Sequence, residues 1–210
     1  MIAEITTRSL FISGTATILA TLWSIPIAIL IAIYPEKKIS KLLTSIFNVL
    51  VGVPTVVIGL FIYMLLSRSG VFGGLGLLYT PIAIIIGQAV LITPLIISIA
   101  IELLGINMRS VIELAKTFGA STIETIGTVL NEGGARLLSA SILGFQRAIG
   151  ELAIALMVGG NIRGFTRVFT TAIALEIEKG EFELAITLAI ILILIDLVIV
   201  VLLRLVGWRR

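Results

Sequence analysis

The 210-residue sequence contains no histidine and no cysteine. Without them, most zinc and haem ligation, thiol catalysis and Ser-His or Cys-His nucleophiles are excluded, as are disulfides and redox motifs. Charge is also scarce: 13% of residues are Asp, Glu, Lys or Arg, against about 25% in a soluble domain. What fills the chain is apolar, with 59% hydrophobic residues and a mean hydropathy of +1.22. One small core cannot bury that much apolar surface. The composition therefore points to an all-α integral membrane protein, multi-pass in the cell membrane, with lipid as its surroundings. The net charge of +3 comes from Lys and Arg spread among connections rather than gathered into a patch, so no nucleic-acid partner is expected. No metal site and no cofactor held by this chain is expected either.

Charge-free stretches at 9–35 and 42–67 exceed the roughly 20 residues needed to cross a bilayer. The first is too long for the h-region of a cleavable signal, about 7–15 residues, and reads as a retained span. A third stretch opens with a glycine-rich run between Gly70 and Gly76, so its helix is placed at 81–101, beginning at Pro81. Spans at 135–158 and 184–206 complete about five crossings in a single domain over 1–210. These last two differ in carrying charge, Arg147 and Glu151 in one and Asp196 in the other.

Five crossings put the two ends on opposite sides. Lys37, Lys38, Lys41, Arg109, Lys116, Arg136, Arg204, Arg209 and Arg210 share one side, and Arg8, Arg68, Arg163, Arg167 and Lys179 share the other, nine against five. The positive-inside rule then places the carboxyl terminus and the connection 102–134 in the cytoplasm and the amino terminus outside. Pro26, Gly52 with Pro54, and Gly87 with Pro94 fall inside the first three spans. Kinks there suit a transport route, although proline and glycine are commoner in membrane helices in general.

The connection is too polar to span and too patterned for a flexible linker. Ser110 with Glu113, and Ser121 with Glu124, both match the capping box that starts a helix. Gly119-Ala120 between them suits a left-handed helix stop, giving a short helix ending near Phe118, a turn, and a second helix leading to the fourth span. In the short helix Val111, Leu114, Ala115 and Phe118 recur at three- and four-residue spacing and form an apolar face. That face either docks in another protein or packs on its own bundle or the headgroups.

Glu113-Leu114-Ala115, three residues, then Gly119 resembles the EAA loop of ABC importer permeases. Arg147-Ala148-Ile149-Gly150-Glu151, Met157-Val158-Gly159-Gly160-Asn161-Ile162, Thr166-Arg167 and 170–176 are similar to the oxyanion-importing branch of that family, and to its molybdate and tungstate permeases in particular. The runs 52–60 and 66–70 extend the similarity over most of 51–184. The resemblance implies a type I ABC importer permease fold in which the loop is a coupling helix. Ser110, Glu113, Leu114, Ala115, Phe118, Gly119, Ala120, Ser121 and Glu124 would then dock on a cytoplasmic ABC ATPase dimer that uses ATP and Mg, and an extracytoplasmic oxyanion-binding protein would deliver the substrate. The sequence departs from the family pattern at Leu114, where a small residue is usual, and at Asn131-Glu132, where many members have leucine-proline.

Arg147 and Asp196 each lie about twelve residues into a span, near mid-membrane at about 1.5 Å per residue. Glu151 is one turn from Arg147, so a cluster of Arg147, Glu151 and Asp196 is expected, either as an ion-pair clasp between spans four and five or as a polar element beside the anion route. One arginine against two carboxylates is a poor oxyanion site, which puts selectivity in the binding protein. Ala140, Gly144 and Ala148 recur every fourth residue and admit close helix packing, within the subunit or across a dimer. Glu176, Glu178, Glu181 and Glu183 are read as an acidic outer rim.

Importing a dianion against an inside-negative potential costs about 2.3 kcal/mol per charge per 100 mV, and the chain has no Walker A motif to fuel it. The chain is thus expected not to be an enzyme, with hydrolysis on a separate subunit. Five spans make a small wall, so a homodimer with the route on its axis is expected. The alternative is an ion-coupled secondary transporter using Arg147, Glu151 and Asp196.

Overall fold

The computed structural model describes the backbone of residues 1–207 and the side chains of 1–105 and 108–201. Arg209 and Arg210, counted in the charge asymmetry, lie outside the described residues. Within them the regular structure is helical: α1 (Ile2–Ile33), α2 (Lys38–Val51), α3 (Thr55–Leu66), a 3-10 turn (Gly73–Leu75), α4 (Pro81–Asn107), α5 (Arg109–Thr117), α6 (Thr122–Ile149), α7 (Ala153–Gly159), α8 (Phe169–Glu178) and α9 (Phe182–Gly207).

Three helices, α1, α4 and α9, are long and apolar enough to cross a membrane alone. The number rises to five if each of two bent pairs is one span: α2 with α3, bent by 97°, and α6 with α7, bent by 62°. The second span expected at 42–67 is therefore two helices, because Gly52 ends α2 and Pro54, lacking an N–H, stands before α3 at φ −57° and ψ 131°. Pro26 and Pro94 do not interrupt their helices, so of the three expected kinks only the one at Gly52 and Pro54 breaks a span. The charge-free limits 101 and 135 fall inside α4 and α6; both helices run past the apolar stretch into polar sequence.

The core is α1, α4 and α6. Ile12, Ala16, Ala20, Ser24 and Ala28 are buried at four-residue spacing on α1, and Ile84, Ile92, Ile96 and Ile97 on α4 are fully covered. In lipid the apolar effect between helices is weak, so packing and small residues must hold them. The stripe Ala140, Gly144, Ala148 lies inside the subunit: an added Cβ on Gly144 would sit 2.8 Å from Ile96 of α4. Gly87 of α4 meets α7 the same way, 2.4 Å from Ile154, and Gly159 of α7 meets Ile84 at 2.6 Å.

The contacts also fix helix directions. Ile33 at the end of α1 and Leu104 near the end of α4 line one cavity, so the two run the same way and α2 with α3 must return the chain between them. Tyr34 shares a hydrogen bond with Thr122 at the start of α6, while Val158 at the end of α7 accepts from the Tyr79 N–H ahead of α4, so α6 and α7 run back. At that far end Ile5, Phe169, Ala172 and Leu188 form a second small core that joins α1, α8 and α9. Glu176, one of the residues assigned to the acidic rim, is buried against this packing and accepts from Lys179 at 3.0 Å, so only Glu178, Glu181 and Glu183 of that group are exposed.

Replacing Gly87 by valine should cost about 1–3 kcal/mol, the overpacking penalty for forcing a branched side chain onto Ile154. Gly134→Ala, where an added Cβ meets open space, should gain up to about 1 kcal/mol from helix propensity. Thermal melting of the purified protein in detergent, read by loss of helical circular dichroism, checks both signs.

Candidate functional site

The short helix α5 is bounded as glycine chemistry dictates. Gly119 takes φ +79°, the Ala120 N–H donates to the Ala115 carbonyl at 3.0 Å and the Gly119 N–H to Lys116 at 3.0 Å, closing a Schellman stop. Ser121 and Glu124 then form the capping box of α6: Ser121 N–H donates to Glu124 Oε2 at 2.7 Å, and Ser121 Oγ accepts the Glu124 N–H at 3.3 Å. Ser110 and Glu113 do not form the other box. The buried Met108 ends α4 and begins α5 at once, so Ser110 is already helical rather than extended, and Glu113 instead takes the Arg109 Nε–H at 2.9 Å.

A single residue of α5, Ile112, is buried in the bundle. Ile112 shares its face with Arg109, Glu113 and Lys116, all of which line the cavity between the ends of α1 and α4. Val111 and Ala115 of the apolar face read from the sequence are half-buried, Val111 against the core, and the rest of that face is turned outward. Leu114 and Phe118 on it are 59% and 83% exposed, and Ile123 just beyond is 82% exposed, so these side chains do not pack on their own bundle.

Tyr34 fastens this segment to α1. Its hydroxyl is 2.8 Å from Thr122 Oγ1, and the Lys37 and Lys116 ammoniums lie over its ring at 3.8 and 4.8 Å. Lys116 also donates to the Ile33 carbonyl at the end of α1, where cations are favoured. Sequence reasoning missed this clasp. The only signal is an aromatic and three lysines where a span ends. Beside it, the Lys41 ammonium holds the exposed Glu36 carboxyl below the ordinary range, through a 2.9 Å ion pair.

At the other end of the bundle, Arg147 Nη1 donates to Glu151 Oε2 at 2.7 Å. The pair does not lie on one continuous helix, because α6 stops at Ile149 and α7 starts at Ala153. Glu151 Oε1 accepts the Ala153 and Ile154 N–H groups at 3.0 and 3.3 Å and so begins the new helix. The Glu151 side chain is 4% exposed and that of Arg147 39%. Around the break, Gln88 Nε2 donates to the Ala148 carbonyl at 2.9 Å, and Thr170 of α8 donates to the Glu151 carbonyl at 2.9 Å.

The structure does not bring Asp196 into this group. Gln146, the neighbour of Arg147 on α6, faces α9 and donates to the Asp196 carbonyl at 3.5 Å; Arg147 points elsewhere because adjacent helical residues diverge by about 100°. Asp196 Oδ1 is buried without a hydrogen-bond partner. The expected three-residue cluster is thus a neutral pair plus a separate carboxyl. Among the described residues no group of His, Cys, Asp or Glu is arranged to hold a metal ion.

The sequence profile described as "Binding-protein-dependent transport system inner membrane component" matches residues 24–209. The chain is similar to the tungstate uptake system permease protein of Peptoclostridium acidaminophilum, 37% identical over 91% of this chain and 83% of that one. It is similar to the protein of the same description in Campylobacter jejuni, 38% identical over 76% of this chain and 67% of that one. A probable anion ABC transporter permease protein of Haloferax volcanii is 32% identical over 91% of this chain and 84% of its own length.

Glu151→Ala leaves a partly exposed guanidinium unpaired and two N–H groups without their acceptor, and should destabilise the protein by about 1–3 kcal/mol. Asp196→Asn removes no ion pair and should stay within about 1 kcal/mol. Comparing the two melting temperatures in detergent separates the roles of the two carboxyls.

Proposed function

We propose, from the premise that the chain belongs to the family of inner membrane components of binding-protein-dependent transport systems, that it forms the membrane pathway for tungstate import. It is a multi-pass plasma-membrane permease subunit of an ABC importer and not itself an enzyme; ATP hydrolysis belongs to a separate subunit. The tungstate reading is supported by the two relatives named for tungstate uptake. Molybdate, a dianion of nearly the same size and shape, is the second substrate.

The observation that carries the coupling mechanism is the unpartnered apolar face of Leu114 and Phe118, on a helix whose other face is fastened to the bundle. Such a face fits a groove of a cytoplasmic ATPase, whose closure on ATP and Mg would push α5 and, through the Tyr34 and Thr122 contact, the start of α6. Helix directions support five crossings, with the bent pairs each counted once. The end bearing α5 then faces the cytoplasm, in keeping with Lys37, Lys38 and Lys41 beside it, and the α8 end faces outward towards an oxyanion-binding protein. A second copy of the chain, with two ATPase subunits beneath, would complete the route; the exposed apolar side of α9, including Ile193, Leu194 and Leu197, is free to face that copy or lipid. Arg147, neutralised by Glu151, offers no tight anion site, so selectivity falls to the binding protein. The ion-coupled alternative has little support, since Arg147 and Glu151 are engaged with each other, Glu151 also with backbone, Asp196 stands apart from them, and the relatives are permeases of uptake systems and ABC transporters.

Reconstituted with its ATPase and binding protein, the permease should take up tungstate only with ATP; uptake on an ion gradient alone would overturn the reading. Leu114→Asp with Phe118→Asp should lower ATP-driven uptake at least about tenfold while leaving the melting temperature nearly unchanged, because exposed positions contribute within about 0.5 kcal/mol.

A further inference from the structure

A cavity of about 630 Å³ lies between the end of α1, the start of α2, the end of α4 and α5. Its charges do not cancel. Glu36 is taken by Lys41 and Glu113 by Arg109, each at 2.9 Å, which leaves Lys37 and Lys116 as surplus cations on the Tyr34 ring. The cavity's other wall is apolar, formed by Ile31, Ile101, Leu104 and Ile112. Two long apolar helices end here, so the cavity sits where hydrocarbon gives way to headgroups. We infer that this cavity binds an anionic phospholipid, its phosphate between Lys37 and Lys116 and its upper acyl chain along the isoleucine wall.

The two-sided lining selects that ligand over a free anion. Inorganic phosphate or the transported oxyanion would neutralise the lysines but leave the apolar part of the cavity unfilled, whereas the upper acyl chain of a phospholipid would fill it as well. The site also leaves the partner surface free, since Leu114 and Phe118 are on the opposite face of α5. A lipid held there would brace α5 against α1 from the side that the ATPase does not reach. The inference rests on α1 and α4 crossing the membrane, and is independent of which anion is carried or what drives it.

The test is native mass spectrometry of the full-length chain in detergent, with phosphatidylglycerol or phosphatidylcholine added. Phosphatidylglycerol should be retained about tenfold more strongly than phosphatidylcholine. Lys37→Gln should weaken its retention about fivefold, the worth of one lysine near an anionic headgroup, and Lys37→Gln with Lys116→Gln more. Lys38→Gln, a lysine that does not line the cavity, should leave it unchanged. Lys37 makes only the ring contact, so its substitution tests binding without loosening the clasp through Lys116. Equal retention of the two lipids, undiminished retention by Lys37→Gln, or displacement of phosphatidylglycerol by millimolar inorganic phosphate would each overturn the inference. Because no transport is measured, failure here leaves the tungstate reading standing, and failure of that reading leaves this result intact.

Discussion

The close approach of α4 to its neighbours is the constraint on which the rest of the structure depends. Gly87, Gly144 and Gly159 sit where α4 crosses α7 and α6, and each leaves room for an isoleucine from the facing helix. In hydrocarbon a helix gains little by hiding apolar surface from lipid that is equally apolar, so this interlocking, with α1 closing the third side through Ala16, Ala20 and Ala28, holds the bundle. From it follow the parallel course of α1 and α4, the return of α6, and the placing of α5 at one end and the Arg147 and Glu151 pair near the other.

Much of this was legible in the sequence because it depended on local chemistry. Pro81 opens α4, Gly119 stops α5, and Ser121 with Glu124 starts α6, each from a side-chain or φ requirement that any context must meet. The pair of Arg147 and Glu151 followed from spacing and the cost of burying charge. What local reasoning missed was decided by tertiary geometry. Pro26, Pro54 and Pro94 look alike in the sequence, yet only Pro54, two residues after Gly52, stands at a break between helices. Ser110 and Glu113 have the spacing of a cap, but Met108, buried between two helices, starts the turn first. Asp196 lies level with Gln146, the neighbour of Arg147, and fails to reach Arg147 because a shared level says nothing about rotation around the helix axis.

The candidate site divides the same way. The apolar face at Leu114 and Phe118 could be read from periodicity, whereas its exposure could not. Tyr34 carries no motif at all, and gains its place only because α1, α5 and α6 converge on it. The sequence motifs around 147–151, 157–162 and 170–176 prove to be parts of one knot tied by the distant Gln88 and by Thr166 and Thr170 to backbone carbonyls at 148, 159 and 151.

The bend between α6 and α7 has a mechanical side. α6 is an unbroken strut of 28 residues that starts beside α5 and ends at Ile149, and beyond it the chain turns by 62°. A thrust delivered at Thr122 would travel along this rod and, at the elbow, would turn into sideways motion of α7. Since α7 bears on α3 and α4 through Ile154, Met157 and Gly159, a small stroke at one end of the rod would emerge as a shear between helices at the other. The elbow is pinned by an ion pair and two backbone hydrogen bonds on one carboxylate, so it would redirect such a stroke instead of absorbing it.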